Sequence, residues 1–222
     1  MQADHSSKIN DPNRRQPDIV VHESLPVGVA LAMAGGFLDA YTYLFHGEVF
    51  ASMQSGNVIL LGINLASGEF GQAARYLPPI LLFLIGIIVT NGLQHRFPTG
   101  GRIVWQNVAL FFEALGIFLL GFFAQTLPNV FVDSGLSFFA AIQYASYRRL
   151  AGMPYATTMT TGNLRSMADY LYQRFFKKDA TVDYKIKYIA MIIGGFFFGA
   201  VSSSLLGMFL FHRTIWVPPH PP

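Results

Sequence analysis

The chain has 222 residues, 52% hydrophobic and 12% charged; soluble domains carry about 25% charged residues, so the deficit points to an exterior facing lipid. With no cysteine, disulfides, cysteine-bound zinc and thiol nucleophiles are excluded, and the formal net charge of +3 carries little meaning until the charges are placed along the chain. The six histidines lie far apart with no two at metal-ligand spacing, so neither a metal nor another cofactor is expected.

Residues 1–24 are polar, lack the apolar stretch of a secretory signal, and read as a disordered tail. Residues 25–212 form a single transmembrane domain, and 213–222 a loose C-terminal tail. A spanning helix needs about 20 apolar residues. The stretches 26–45, 76–94, 103–125 and 188–211 meet that requirement, and 132–150 is a weaker fifth span because it holds Gln143 and ends in Arg148-Arg149. Ser24 and Pro26 mark the start of the first span, and Pro78-Pro79 that of the second. Two stretches fit less well. Residues 47–68 and 152–175 each open on a glycine and an extended-looking run, pass through a small-polar cluster, and finish in a helix of about 12 residues, too short to span.

These two stretches copy one another. Ser52-Met53-Gln54-Ser55-Gly56-Asn57 matches Thr158-Met159-Thr160-Thr161-Gly162-Asn163 without a gap, in the pattern [ST]-M-x-[ST]-G-N. The chain therefore reads as span, broken segment, span, occurring twice: repeat one over 26–94, a connector span over 103–125, and repeat two over 132–211. Interrupted helices at matching positions of two halves are the sequence pointer to a transporter site.

Cytoplasmic loops carry the excess of Lys and Arg. With a cytoplasmic N-terminus and both broken segments turning back, Lys8, Arg14, Arg15, Arg96, Arg102, Arg148, Arg149, Arg174, Lys177, Lys178, Lys185 and Lys187 fall inside, against Arg75 and Arg213 outside. Letting both segments cross weakens that bias. The expected fold is thus an all-α membrane protein of two inverted repeats, with about five full spans and two re-entrant half-helices; six or seven crossing spans are the alternative. The Ser/Thr-Gly-Asn turns would meet near the midplane, where irregular backbone must be satisfied by protein or water. Pairing of the extended runs 49–53 and 155–159 as short antiparallel strands is one way to do so.

The blocks GGFLDA (35–40), Val49-Phe50 with Ser55-Gly56-Asn57, and Gln143, Ala145, Arg148-Arg149-Leu150, Thr157 and Thr161-Gly162-Asn163 resemble the YoaK-like family of small membrane proteins, a domain of unknown function. The resemblance covers roughly residues 25–212. One departure is Tyr144, where such proteins often carry Asn. The resemblance implies the membrane architecture and no substrate.

Two carboxylates sit at membrane depth, where each costs about 2.5–3.5 kcal/mol on insertion scales. Asp39 reads either as a proton or cation site or as a structural acid that pairs with Arg165 or caps a broken-helix amide. Glu113, in the apolar run ALFFEALGIF, reads as neutral or paired, or as a proton relay. Arg165, in the first turn of the second half-helix, either strengthens an anion site at that helix N-terminus or pairs with Asp169 four residues on. Ser52, Ser55, Asn57, Thr158, Thr161 and Asn163 are the polar groups expected to face a ligand as a set, with capping the commoner role for any one of them. Gly56 and Gly162 allow the tight turn, and Gln143 and Asn91 are further lining candidates. Ala32, Gly36 and Ala40, and Gly195, Gly199, Ser203 and Gly207, are packing ladders that join either the two repeats or two protomers of a homodimer. The juxtamembrane lysines 177, 178, 185 and 187 suit anionic lipid, and nothing calls for nucleic acid.

These features point to an integral, multi-pass protein, placed at the plasma membrane, that moves a small polar or anionic solute between the two half-helix tips. Proton coupling would run through Asp39 or Glu113. A channel shares every feature, and a non-transporting scaffold or sensor is a further class. An intramembrane enzyme is disfavoured, since the chain has no HExxH and no G-x-S-x-G.

Overall fold

A computed structural model describes residues 23–96, 105–124 and 126–210. The N-terminal tail with Lys8, Arg14 and Arg15, the loop residue Arg102, and the C-terminal tail with Arg213 lie outside the described residues. The chain builds α1 (Leu25–Phe45), α2 (Gln54–Ala66), α3 (Phe70–Ala74), α4 (Leu77–Arg96), α5 (Trp105–Phe123), α6 (Asn129–Ser146), β1 (Arg149–Leu150), β2 (Met153–Pro154), α7 (Thr160–Phe175) and α8 (Asp183–Leu210). It is an all-α membrane protein apart from that one hairpin. Among the described residues, four stretches are long and apolar enough to cross a bilayer: Leu25–Phe45, Phe70–Arg96, Trp105–Phe123 and Ala180–Phe209.

The expected fifth span, α6, is a helix of 18 residues that falls short of the others in apolarity for a visible reason. Most of it is buried inside the protein, including Asp133, Ser137, Gln143 and Ser146, so its polar residues never meet lipid. The outer helices show the reverse. Phe111, Phe118 and Phe122 of α5 and Phe197, Phe198 and Phe209 of α8 are exposed, as suits a lipid-facing wall.

Contacts fix the directions of the long helices. Gly28 of α1 lies against Ile192 of α8, Gly36 against the Phe196 carbonyl, and Gly207 against the Phe45 ring, so α1 and α8 run parallel. A methyl group at Gly36 or Gly199 would strike the facing helix backbone, and this near-contact is what the small-residue ladders serve. They join the first half of the chain to the second. Helix α6 runs against α1: Gln143 Nε2 donates to the Leu31 carbonyl at 2.9 Å, Leu38 clusters with Val132 and Leu136, and His46 faces Asp133. It also runs against α5, where the Tyr147 hydroxyl donates to the Gln106 carbonyl at 2.9 Å and Gly135 meets Leu120.

The two short helices lie in the segments that join α1 to α4 and α6 to α8. Residues 46–76 start where Gly47 turns at φ +87° and finish where the Arg75 guanidinium packs on that same glycine. Residues 147–182 start in the hairpin, and Leu150 there packs with Ile189 and Ile192 near the start of α8. The hairpin turn holds Ala151 and Gly152 at positive φ (47° and 78°), and Ala151 N–H donates to the Glu23 carbonyl at 2.9 Å. Helix α2 has 13 residues, about 20 Å, and α7 has 16, about 24 Å; both fall short of the roughly 30 Å hydrocarbon core.

Candidate functional site

The two copied motifs adopt the same local structure. Helices α2 and α7 open at the matching residues Gln54 and Thr160, after Met53 and Met159, and neither start carries a side-chain cap bond. The asparagine of each motif sits in the first turn and folds back onto the residue seven before it. Asn57 accepts from Phe50 N–H at 2.9 Å and donates to the Phe50 carbonyl at 2.8 Å. Asn163 accepts from Ala156 N–H at 3.1 Å and donates to the Ala156 carbonyl at 2.7 Å. A carboxamide offers a donor and an acceptor side by side, as a neighbouring strand would, so one side chain satisfies both polar groups of an extended residue.

That replaces the strand pairing expected between 49–53 and 155–159. Among the described residues the only ladder is the hairpin, Arg149 with Pro154 and Leu150 with Met153. Within the extended runs, Phe50, Ala51, Ser52, Met53 and Ala156 find side-chain partners, while Tyr155 N–H donates to the Arg148 carbonyl at 3.2 Å.

The first tip is fully tied down. Ser52 N–H and hydroxyl each donate to the Asp39 carboxylate at 2.6 Å, and Met53 N–H donates to it at 3.3 Å. Ala51 N–H donates to Thr42 Oγ1 at 3.1 Å. Asp39 is therefore engaged as a cap on the broken segment, one of the two structural roles considered for it; Arg165 is not its partner. The second tip has no such acid. Thr157 and Thr158 are buried (1% and 3% exposed), and neither hydroxyl has a partner among the described residues.

Both tips lean on one stripe of α1. Tyr155 lies beside Gly28, Gln143 binds the Leu31 carbonyl, Thr157 and Thr158 lie on Gly35, and Ser52 binds Asp39. Residues 28, 31, 35 and 39 recur at helical spacing over about 16 Å, and Gly35 is the midpoint of the helix. The lack of a Cβ at Gly35 matters, because one placed there would come 3.0 Å from Thr158 Cγ2. Four residues bordering this seam each keep a buried polar atom with no partner among the described residues: Tyr155 Oη, Gln143 Oε1, Thr157 Oγ1 and Thr158 Oγ1. Buried polar atoms are rarely left so, each costing about 1–3 kcal/mol.

The other candidate residues are placed as follows. Ser55, Thr161 and Gly162 face outward from α2 and α7, as does Asn91 from α4. Gly56 is buried under the Phe50 ring and the Met53 side chain. Arg165 and Asp169 are both exposed, and the expected pair between them is not among the ion pairs of the described residues. An exposed pair gains little over hydration, so nothing holds the two long side chains together. Glu113 is buried on the α5 stripe that also carries Gln106 and Ala109, and its Oε2 is unpaired. Among the described residues no group of three acidic or histidine side chains could hold a metal.

Several polar residues escaped the sequence reading. Tyr155 lies on the seam, and Thr157, quoted above only as part of the family motif, lies beside it. His46 and Asp133, both buried, face each other at 3.7 Å, and His46 Nε2 lies 2.9 Å from the Tyr41 hydroxyl. Asp133, a third carboxylate within an apolar span, carries the same depth signal as Asp39 and Glu113.

A family of proteins of unknown function, DUF1275, matches residues 27–220, which takes in both tips and every long helix. The chain belongs to this family. One relative, the UPF0700 transmembrane protein YoaK of Bacillus subtilis (strain 168), is 26% identical over 198 residues, covering 85% of this chain and 86% of the relative. No solved structure matches. The YoaK-like resemblance read from the two motif blocks thus holds across the chain. This DUF1275 member is an integral membrane protein, and the helix richest in buried polar residues is α6, with Asp133, Ser134, Ser137, Gln143 and Ser146.

Proposed function

We propose that the chain is a transporter of a small polar or anionic solute, built from two inverted repeats whose half-helices enter from opposite faces, with the solute site on the α1 seam between their tips. The observation that carries this reading is the row of unpaired buried groups, Tyr155, Gln143, Thr157 and Thr158, beside the midpoint of α1. Hydroxyl and amide groups that cost stability when unpaired are retained where a ligand uses them. The N-terminus of α7 adds free amides and the positive end of a helix dipole, which suits an anion or an electronegative neutral group.

The inversion is supported by the packing of Arg75 on Gly47 and of Leu150 on Ile189 and Ile192, at the two ends of the bundle, and by the charges at those ends. The end where α4 and α6 finish carries Arg96, Arg148 and Arg149, with Arg174 and the lysines of 177–187 beside α7 and the start of α8; the other end carries Arg75. The positive-inside rule makes the first end cytoplasmic, which puts the N-terminus inside and suits a plasma-membrane location. Of the two carboxylates considered for proton coupling, Glu113 keeps an unpaired oxygen while Asp39 is occupied as a cap, so coupling is assigned to Glu113. No catalytic role is assigned to any residue.

The test is flux into proteoliposomes of the purified chain, measured for sodium phosphate, sulfate and acetate and for the neutral solutes urea and glycerol, with and without a proton gradient. Saturable uptake of one of them, reduced by Thr158→Val, is expected. Equal leakage in protein-free and protein-containing vesicles for the whole panel would count against transport and favour a scaffold.

A further inference from the structure

Away from the seam, the ends of four segments close around a second polar space. Glu23 before α1, Gln94 near the end of α4, Trp105 at the start of α5, and Ser146, Arg148 and Arg149 after α6 line a cavity of about 220 Å³. The cavity has room for a small hydrated group and is smaller than the about 300–1,000 Å³ of drug-sized pockets. Three of its lining residues are more than nine-tenths buried and carry a polar atom with no partner among the described residues: Trp105 Nε1, Gln106 Oε1 and Ser146 Oγ. Arg148 and Arg149 are exposed at its rim, and neither is in an ion pair among the described residues.

The available groups select the ligand. An indole N–H and guanidinium N–H groups can only donate, and the Ser146 hydroxyl can donate too, so they call for an oxygen-rich anion. The Glu23 carboxylate opposes it, yet its Oε2 accepts from Gly152 N–H at 3.3 Å, and two arginines outweigh one acid. The same contact, with Ala151 N–H on the Glu23 carbonyl, holds the hairpin that positions Arg149. We infer that this cavity is an oxyanion site, in which Arg148, Arg149, Trp105 Nε1 and Ser146 Oγ hold a phosphate or carboxylate group and Gln106 Oε1 accepts from a neighbouring hydroxyl. That group is supplied either by a free anion or by the headgroup of an anionic lipid. The site stands apart from the α1 seam, and binding without flux leaves it intact.

The chain has two tryptophans, Trp105 and Trp216, so Trp216→Phe leaves Trp105 as the only emitter. The full chain with that change is placed in phosphatidylcholine nanodiscs and titrated at constant ionic strength with sodium phosphate and with sodium succinate. A saturable change in Trp105 emission assigns the site to a free anion. A change on moving to phosphatidylglycerol nanodiscs, which phosphate then fails to extend, assigns it to a lipid headgroup. In either case Arg148→Gln with Arg149→Gln raises the apparent Kd, or the phosphatidylglycerol fraction required, at least tenfold, whereas Lys177→Gln does not. Ser146→Ala, expected to weaken binding severalfold, serves should the double arginine variant fail to fold. Trp105 emission that stays constant in both arms, or that responds equally in the arginine and serine variants, overturns the assignment.

Discussion

Replacing Thr157 and Thr158 by valine removes two hydroxyls while keeping the shape of the side chains. Both residues are almost wholly buried and both hydroxyls lack partners. An unpaired buried hydroxyl costs about 1–3 kcal/mol, so each valine is expected to leave the solute-free protein as stable or to stabilise it by up to that amount. For a chain of this size each kcal/mol corresponds to about 2–4 °C in Tm, read as thermal unfolding in detergent. Transport should move the other way. Losing a hydrogen bond of about 1.4 kcal/mol to the solute raises KM about tenfold, measured as uptake of the solute that the wild-type chain carries in proteoliposomes. Higher Tm with KM unchanged in both variants would refute the reasoning, because the hydroxyls would then be packing defects in a dry seam.

The asparagine clamps carry a stability prediction with the opposite sign. Asn57→Leu or Asn163→Leu strips both polar partners from Phe50 or Ala156, at about 1–3 kcal/mol for each group left unpaired, and should cost monodisperse protein on size-exclusion chromatography. Leucine at these positions therefore does not separate a transporter from a scaffold, since either would unfold. Gly36→Ala should push α1 from α8, where a methyl would meet the Phe196 carbonyl, and destabilise by about 1–3 kcal/mol, whereas Gly194→Ala, with open space around it, should not. Thermal unfolding of the two alanine variants side by side distinguishes them.

The long helices were legible because lipid demands unbroken apolar runs, and the matched motifs were legible because both copies keep [ST]-M-x-[ST]-G-N. The roles within the motif were not. An asparagine after Ser-Gly or Thr-Gly can face a ligand or the backbone, and only the fold brings residue 50 back to 57 and residue 156 back to 163. Asp39 was flagged by depth alone, and its occupation as a cap depends on the extended run crossing one face of α1. The Arg165–Asp169 pair was expected from spacing, which brings side chains within reach without holding them there. The hairpin was invisible because Ala151 is no signal for a positive φ. The arginine-rimmed cavity gathers residues 23, 94, 105, 106, 146, 148 and 149 from segments far apart in sequence, and no local pattern announces that meeting.

Sidedness of the two short helices bears most directly on the whole picture, and the cysteine-free chain is a ready background for measuring it. Ser67, just past α2, and Lys178, between α7 and α8, are both exposed. Ser67→Cys and Lys178→Cys would each be treated with an impermeant methanethiosulfonate reagent on intact cells and on inverted membrane vesicles. Half-helices that enter from opposite faces give labelling of Ser67→Cys from outside only and of Lys178→Cys from inside only. Labelling of both from the same side would mean that the helices cross, and the facing tips would be lost.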